Sequence, residues 1–224
     1  MKQEKNKTMK KYKAVIFDMD GTILNTIEDL TIATNHALGR YGLPAVTVEE
    51  EYFFVGNGLY TTAKRACKEA ASEDTVQKVY EELVSYYRMH SEDHTAPYKG
   101  IREVIRKLRM KGIKTAVVSN KADAAVQHLV ELFFEGCFDV AMGETEGFAL
   151  KPDRAMVDEA LRRMEVSNED AVYVGDSNVD LMTAKNAELD CIAVSWGFRS
   201  KETLLEYGAA VIADKPKDLL GLIK

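Results

Sequence analysis

Apolar, β-favouring runs punctuate the chain at Ala14–Phe17 and at 115–118, 140–142, 171–174, 192–194 and 210–212. From Ile113 onward these runs alternate with helical patterns. Val157, Ala160, Leu161 and Met164 recur at helical spacing, as do Ile101, Val104, Ile105 and Leu108. Asp153, just past Pro152, is placed to cap the first of these helices. Such alternation predicts a parallel sheet wound with helices on both faces. Between the first run and Pro97 the pattern changes. Leu30, Ala33, Ala37, Leu38 and Tyr41 form a helical stripe, opened by Thr26-Ile-Glu-Asp in the manner of a capping box and ended by Gly42 and Pro44. Two further helical stretches follow, at 59–70 and 72–89, with no strand-like alternation between them.

The expected architecture is therefore α/β. A Rossmann-like, doubly wound parallel core spans 12–26 and 96–224, and an all-helical domain at 27–95 is inserted into it. Natural hinges lie near Asn25 and at Ala96-Pro97-Tyr98-Lys99-Gly100. Residues 1–11 are basic, have no apolar signal-peptide core and are expected to be a flexible tail.

Composition narrows the class. Of 224 residues 46% are hydrophobic and 29% charged, as in an ordinary globular protein. A net charge of −6 argues against a nucleic-acid partner, because no broad basic surface is left to neutralise backbone phosphates. No segment reaches the roughly 20 apolar residues that a membrane span needs. Cys67, Cys137 and Cys191 are scattered without a C-x-x-C pair, which fits reduced thiols in the cytoplasm. His90 and His94 are four apart but lack a third ligand, so they read as helix-end histidines.

The chemistry lies where apolar runs end. Asp18-Met-Asp20-Gly-Thr follows the first run, Ser119-Asn120 follows another, Lys151-Pro152 follows Leu150, and Gly175-Asp176-Ser-Asn-Val-Asp180 follows a fourth. Carboxylates at the exit of a buried strand are costly unless a cation or donor offsets them. Open parallel sheets bind ligands beyond the carboxyl ends of their strands, so these groups can converge. Two acid pairs, a hydroxyl and a lysine suit a divalent cation plus a phosphate.

These signals, in this order, resemble the haloacid dehalogenase superfamily, specifically its phosphatases with a helical cap after the first motif. The resemblance runs from about Tyr12 to the C-terminus. Asp18-Met-Asp-Gly-Thr-Ile-Leu, Val55-Gly-Asn-Gly-Leu with Arg65-Ala66, Val118-Ser-Asn-Lys and Trp196-Gly-Phe-Arg-Ser look most like the phosphoglycolate phosphatase group. The resemblance implies that 27–95 is a cap controlling specificity. Asp18 is then the nucleophile that forms an aspartyl-phosphate, and Asp20 the acid/base that protonates the leaving group and activates water. Gly21 lets the backbone approach phosphate, and Thr22 steadies the acids. Ser119, Asn120 and Lys151 contact the phosphoryl group, Lys151 as a point positive charge. Asn57 in the cap loop and Arg65 are candidate substrate-binding residues, the arginine able to grip a carboxylate in bidentate fashion.

An all-oxygen donor set without histidine or thiolate favours Mg²⁺ over zinc. The resemblance implies Asp18, Asp176 and the Asp20 carbonyl as its ligands. Asp180 completes the acid group and orients a water or Lys151. Gly56-x-Gly58 is not a dinucleotide fingerprint, since it follows no strand and lacks the third glycine. Trp196, Phe198 and Arg199 are expected to pack at the core or its rim.

Three positions depart from the family pattern: Asn25-Thr26 in place of Asp-Ser, Lys99 in place of a hinge proline, and Arg154 in place of the proline after Lys-Pro-Asp. The expectation is Mg²⁺-dependent hydrolysis of a small phosphorylated metabolite, plausibly 2-phosphoglycolate, by a cytoplasmic monomer or homodimer. The alternatives are a phosphosugar mutase of the β-phosphoglucomutase type and a phosphoacceptor module.

Overall fold

The computed structural model describes residues 11–68 and 71–224. The expected tail lies outside them except for Lys11, as does the end of the 59–70 helical stretch. In chain order the strands are β1 (Ala14–Phe17), β2 (Leu24–Asn25), β3 (Ala96–Pro97), β4 (Lys114–Ala122), β5 (Val140–Glu144), β6 (Ala171–Gly175), β7 (Asp190–Val194) and β8 (Ile212–Ala213). The helices are α1 (Ile27–Arg40), α2 (Val48–Phe54), α3 (Leu59–Cys67), α4 (Glu73–His90), α5 (Ile101–Met110), α6 (Asp123–Phe134), α7 (Ala155–Met164), α8 (Asn178–Asn186), α9 (Lys201–Glu206) and α10 (Leu219–Leu222).

A six-stranded parallel sheet runs β5-β4-β1-β6-β7-β8. Side chains alternate across each strand, so consecutive apolar residues feed two different cores. On one face Val15, Phe17, Val117, Val172 and Val174 pack with Ile101, Ile105 and Leu108 of α5 and Val126 and Leu129 of α6. On the other, Ala14, Ile16, Val118 and Tyr173 meet Met156, Val157, Ala160 and Leu161 of α7. Burial on both faces explains the unbroken apolar runs. The chain leaves β1 for one neighbour, β4, and later returns on the other side at β6. That switch point makes the crevice beyond the β1 carboxyl end.

Helices α1 to α4 enclose their own apolar cluster, with Leu30, Ala33 and Leu38 of α1 against Val76, Val79 and Leu83 of α4. β2 pairs antiparallel with β3, Asn25 opposite Ala96, which brings the two connections to this helical unit side by side. The Thr26 capping box does not form: no side chain caps α1. Asp29 accepts instead from the His94 and Thr95 backbone amides at 3.0 and 2.8 Å and meets His94 Nδ1 at 2.8 Å. Three donors from the returning chain outcompete one cap bond, and so lock the start of α1 to β3. The last strand begins two residues later than the apolar run at 210–212. Among the described residues no helix is long and apolar enough to cross a membrane, and the three cysteines are free.

Helix α2 buries an acid. Glu51 has no exposed surface and accepts from Thr34 Oγ1 at 2.9 Å. Burial pushes its carboxyl up to about 7, partly opposed by Thr34, from an ordinary 4.5. Between those values the native state holds a proton that the unfolded chain has released. Stability attributable to Glu51 therefore falls as pH rises through that window. Glu51→Gln is expected to remove this fall and to raise stability by up to about 3 kcal/mol at about pH 8. Denaturation midpoints across the window test it, and an unchanged pH slope would sink the assignment.

Candidate active site

Asp18 is the first residue beyond β1, its amide donating to the Val174 carbonyl at 2.9 Å. Ser119 sits late in β4, where the pairing with β5 shifts register, and Asp176 follows β6 directly. Three adjacent strand ends thus deliver an acid, a hydroxyl and a second acid to one place. Lys151 arrives differently. It lies in the loop between Glu144 at the end of β5 and Ala155 at the start of α7, not at a strand end.

Its ammonium is buried against three oxygens: Asp18 Oδ1 at 2.8 Å, Asp180 Oδ1 at 2.9 Å and the Tyr173 hydroxyl at 3.0 Å. Burial opposes that charge, but Asp18 and Asp180 outweigh it and hold Lys151 well above the usual lysine range. Asparagine 120 fixes the loop, accepting from the Lys151 amide at 2.7 Å and donating to the Lys151 carbonyl at 2.9 Å. It donates also to the Gly56 carbonyl of the helical unit at 3.1 Å. Asn120 lines the crevice, yet both ends of its amide serve backbone groups.

Carboxylate oxygens of Asp18, Asp176 and Asp180 lie within 4.8 Å of one another. Burial, then repulsion from Asp180, raises the Asp18 carboxyl well above its usual range, with Lys151 opposing. The same two causes push Asp176 up to about 7. Three buried carboxylates against one ammonium leave an excess of negative charge, which calls for a further cation. The donors are all oxygen, and the cradle around them is tight. A Cβ on Gly21, whose φ is +82°, would stand 2.3 Å from Asp176 Oδ2, and one on Gly197 2.4 Å from the Asp176 Cβ. These residues fit a small, hard divalent ion.

Asp176 is aimed by its neighbours, accepting from the Phe198 amide at 2.7 Å and from Thr22 Oγ1 at 3.1 Å. Asp180 is engaged at both oxygens. Oδ2 accepts from the Asp176 and Ser177 amides at 3.1 and 3.0 Å and from Ser177 Oγ at 2.7 Å, in a capping box at the start of α8. Such an acid organises the loop and Lys151.

The crevice at these strand ends is closed over by Leu30, Val55, Gly58, Leu59 and Thr62 of the helical unit, and has a volume of about 50 Å³. Arg65 and Asn57 are not among its lining residues. Arg65 donates to the Phe53 and Phe54 carbonyls at 3.3 and 2.8 Å and to Asn57 Oδ1 at 3.0 Å, so the two residues brace the loop after α2. Two cations not singled out as site residues do line the crevice. Lys121 Nζ is 3.1 Å from Asp20 Oδ1 and 2.8 Å from the Tyr87 hydroxyl of α4. Burial opposes its charge, and Asp20 and Tyr87 together outweigh that and hold it above the usual range. Arg199 is the other. In the sequence Lys121 lies three residues past the apolar run at 115–118 and looks like one more polar residue of that segment; only the extension of β4 to Ala122 carries it into the crevice.

A six-stranded doubly wound sheet with a buried acid trio at its switch point places an anionic site where such sheets bind ligands. Comparison with known proteins gives the family. The family model described as haloacid dehalogenase-like hydrolase matches residues 15–194, and the chain belongs to that family. It is 28% identical over 211 residues to phosphoglycolate phosphatase 1 of Pseudomonas aeruginosa, covering 92% of this chain and 78% of that protein. It is 29% identical over 218 residues to the pyrophosphatase PpaX of Bacillus cereus, covering 95% and 97%. Among solved structures, a candidate phosphoglycolate phosphatase from Lactobacillus delbrueckii subsp. bulgaricus superposes with a TM-score of 0.91 at 41% identity, over 95% of this chain and 99% of that one.

Proposed function

We propose that this hydrolase cleaves a phosphomonoester of a small metabolite, 2-phosphoglycolate before others, with Mg²⁺ and through an aspartyl-phosphate on Asp18. The observation that carries the reading is Asp18 itself, a buried carboxylate at the β1 exit with Lys151 Nζ 2.8 Å from one oxygen. The relatives named for phosphoglycolate and pyrophosphate hydrolysis support a compact, multiply charged substrate.

In this reading an Asp18 oxygen bonds to phosphorus as the bond to the ester oxygen breaks. Asp20 gives that oxygen its proton. Asp20 then takes a proton from water, whose oxygen attacks phosphorus, releasing phosphate and restoring Asp18. Lys151 and Ser119 stabilise charge on the equatorial oxygens, and Gly21 admits the backbone close to them. Asp18, Asp176 and the Asp20 carbonyl would hold Mg²⁺, which when bound supplies charge neutralisation to the phosphoryl group. Helices α1 to α4 act as a cap over 27–95, hinged at β2 and β3, that excludes water.

The test is phosphate release from 2-phosphoglycolate, pyrophosphate, hexose phosphates and nucleoside monophosphates, before and after metal removal by chelation. Release is expected to be greatest for the two smallest substrates, to fall at least about 100-fold without metal and to return with Mg²⁺. Undiminished release after chelation would overturn the metal requirement.

A further inference from the structure

Among the cations lining the crevice, Lys151 faces Asp18 and Asp180, and Lys121 faces Asp20. Arg199 has no such partner. Among the described residues no carboxylate lies within ion-pair distance of its guanidinium. Its recorded bonds go to neutral groups, the carbonyls of Tyr52 and Val55, the latter at 3.3 Å. The Phe53 ring lies 5.9 Å from its central carbon. Arginine has five N–H donors, so these bonds leave donors free, and Asp176 and Asp180 meet the charge only from beyond ion-pair distance. The side chain is partly buried, and burial pulls it below the ordinary arginine range. A partly desolvated guanidinium with no carboxylate bonded to it is less favourable than one that meets an anion. It becomes favourable once an anion enters the crevice.

We propose that Arg199 is a specificity-determining residue that receives the second anionic group of the substrate, a carboxylate or a second phosphoryl, while the first sits at Asp18. The proposal rests on the phosphohydrolase reading and deepens it. Arg199 follows Phe198, whose amide holds Asp176, and it grips the backbone after α2. An anion on Arg199 therefore touches a residue that joins the acid site to the helical unit. Substrates with a second charge are selected and draw the crevice closed, and those with neutral tails are not.

The test is calorimetric binding of three non-hydrolysable probes in excess Mg²⁺: phosphonoacetate, methylenediphosphonate and, with a neutral tail, ethylphosphonate. The wild-type chain is expected to bind at least one of the doubly charged probes about 10- to 100-fold tighter than ethylphosphonate. Whichever is preferred names the second group. Arg199→Met is expected to abolish the preference and Arg199→Lys to retain part of it. Because the readout is a ratio within each variant, loss of active protein cancels. Equal weakening of all three probes by Arg199→Met, or no preference in the wild type, overturns the proposal and leaves the hydrolase reading intact. No binding of any probe overturns both.

Discussion

Asp18→Asn is expected to lower phosphate release by at least about four orders of magnitude while leaving the fold in place. Loss of a nucleophile removes the covalent route and not merely a contact, and such losses reach about a millionfold elsewhere. The amide keeps the size of the carboxylate and can still accept from the Met19 amide, now 2.7 Å from Asp18 Oδ1. It also removes a charge that burial, then repulsion from Asp180, disfavours there, while Lys151 keeps Asp180 as partner, so thermal stability without metal should be equal or higher. Phosphate assays paired with thermal unfolding check both halves. An inactive but destabilised protein would instead make Asp18 a structural acid.

Lys151→Met has the opposite signature. Its ammonium is the sole cation within ion-pair distance of both Asp18 and Asp180 among the described residues. Breaking a buried pair by removing one partner costs about 3–5 kcal/mol, because the other charge stays buried. Asp18 would rise further, so the native state would hold a proton through a pH range where the unfolded chain has lost it. The deficit therefore grows with increasing pH and shrinks in mild acid. Activity falls with it, by about 100-fold or more, since a charge aimed at the phosphoryl oxygens is lost. Chemical denaturation at several pH values, with and without Mg²⁺, reads the effect. A deficit that does not vary with pH would contradict the pairing.

How far these features were legible in the chain depended on their range. Strands β1, β4, β6 and β7 announced themselves because central strands are buried on both faces and leave unbroken apolar runs, and edge strand β5 showed a shorter one. Asp18, Ser119 and Asp176 followed, each at or just past a run. Helix α2 was missed because seven residues with three glutamates show little periodicity, although Thr47-Val-Glu-Glu50 is a capping box that does form. Side-chain destinations across the molecule were not legible. Arg65 and Arg199 look alike as letters. Only the three-dimensional path shows one bracing the loop after α2 while the other enters the crevice. Likewise Thr26-Ile-Glu-Asp29 has cap spacing, but the capping decision is made by His94 and Thr95, some 65 residues on.

The most direct measurement is rapid acid quench of the Mg²⁺-loaded enzyme turning over 2-phosphoglycolate, followed by mass spectrometry of the peptide containing Asp18. Asp20→Asn, which slows both protonation of the leaving group and attack by water, is run in parallel at longer quench times. The account predicts one added phosphoryl group on Asp18 during turnover, in the wild type or in Asp20→Asn, and none in Asp18→Asn. Steady phosphate release with Asp18 unmodified at every quench time, in both the wild type and Asp20→Asn, would contradict it.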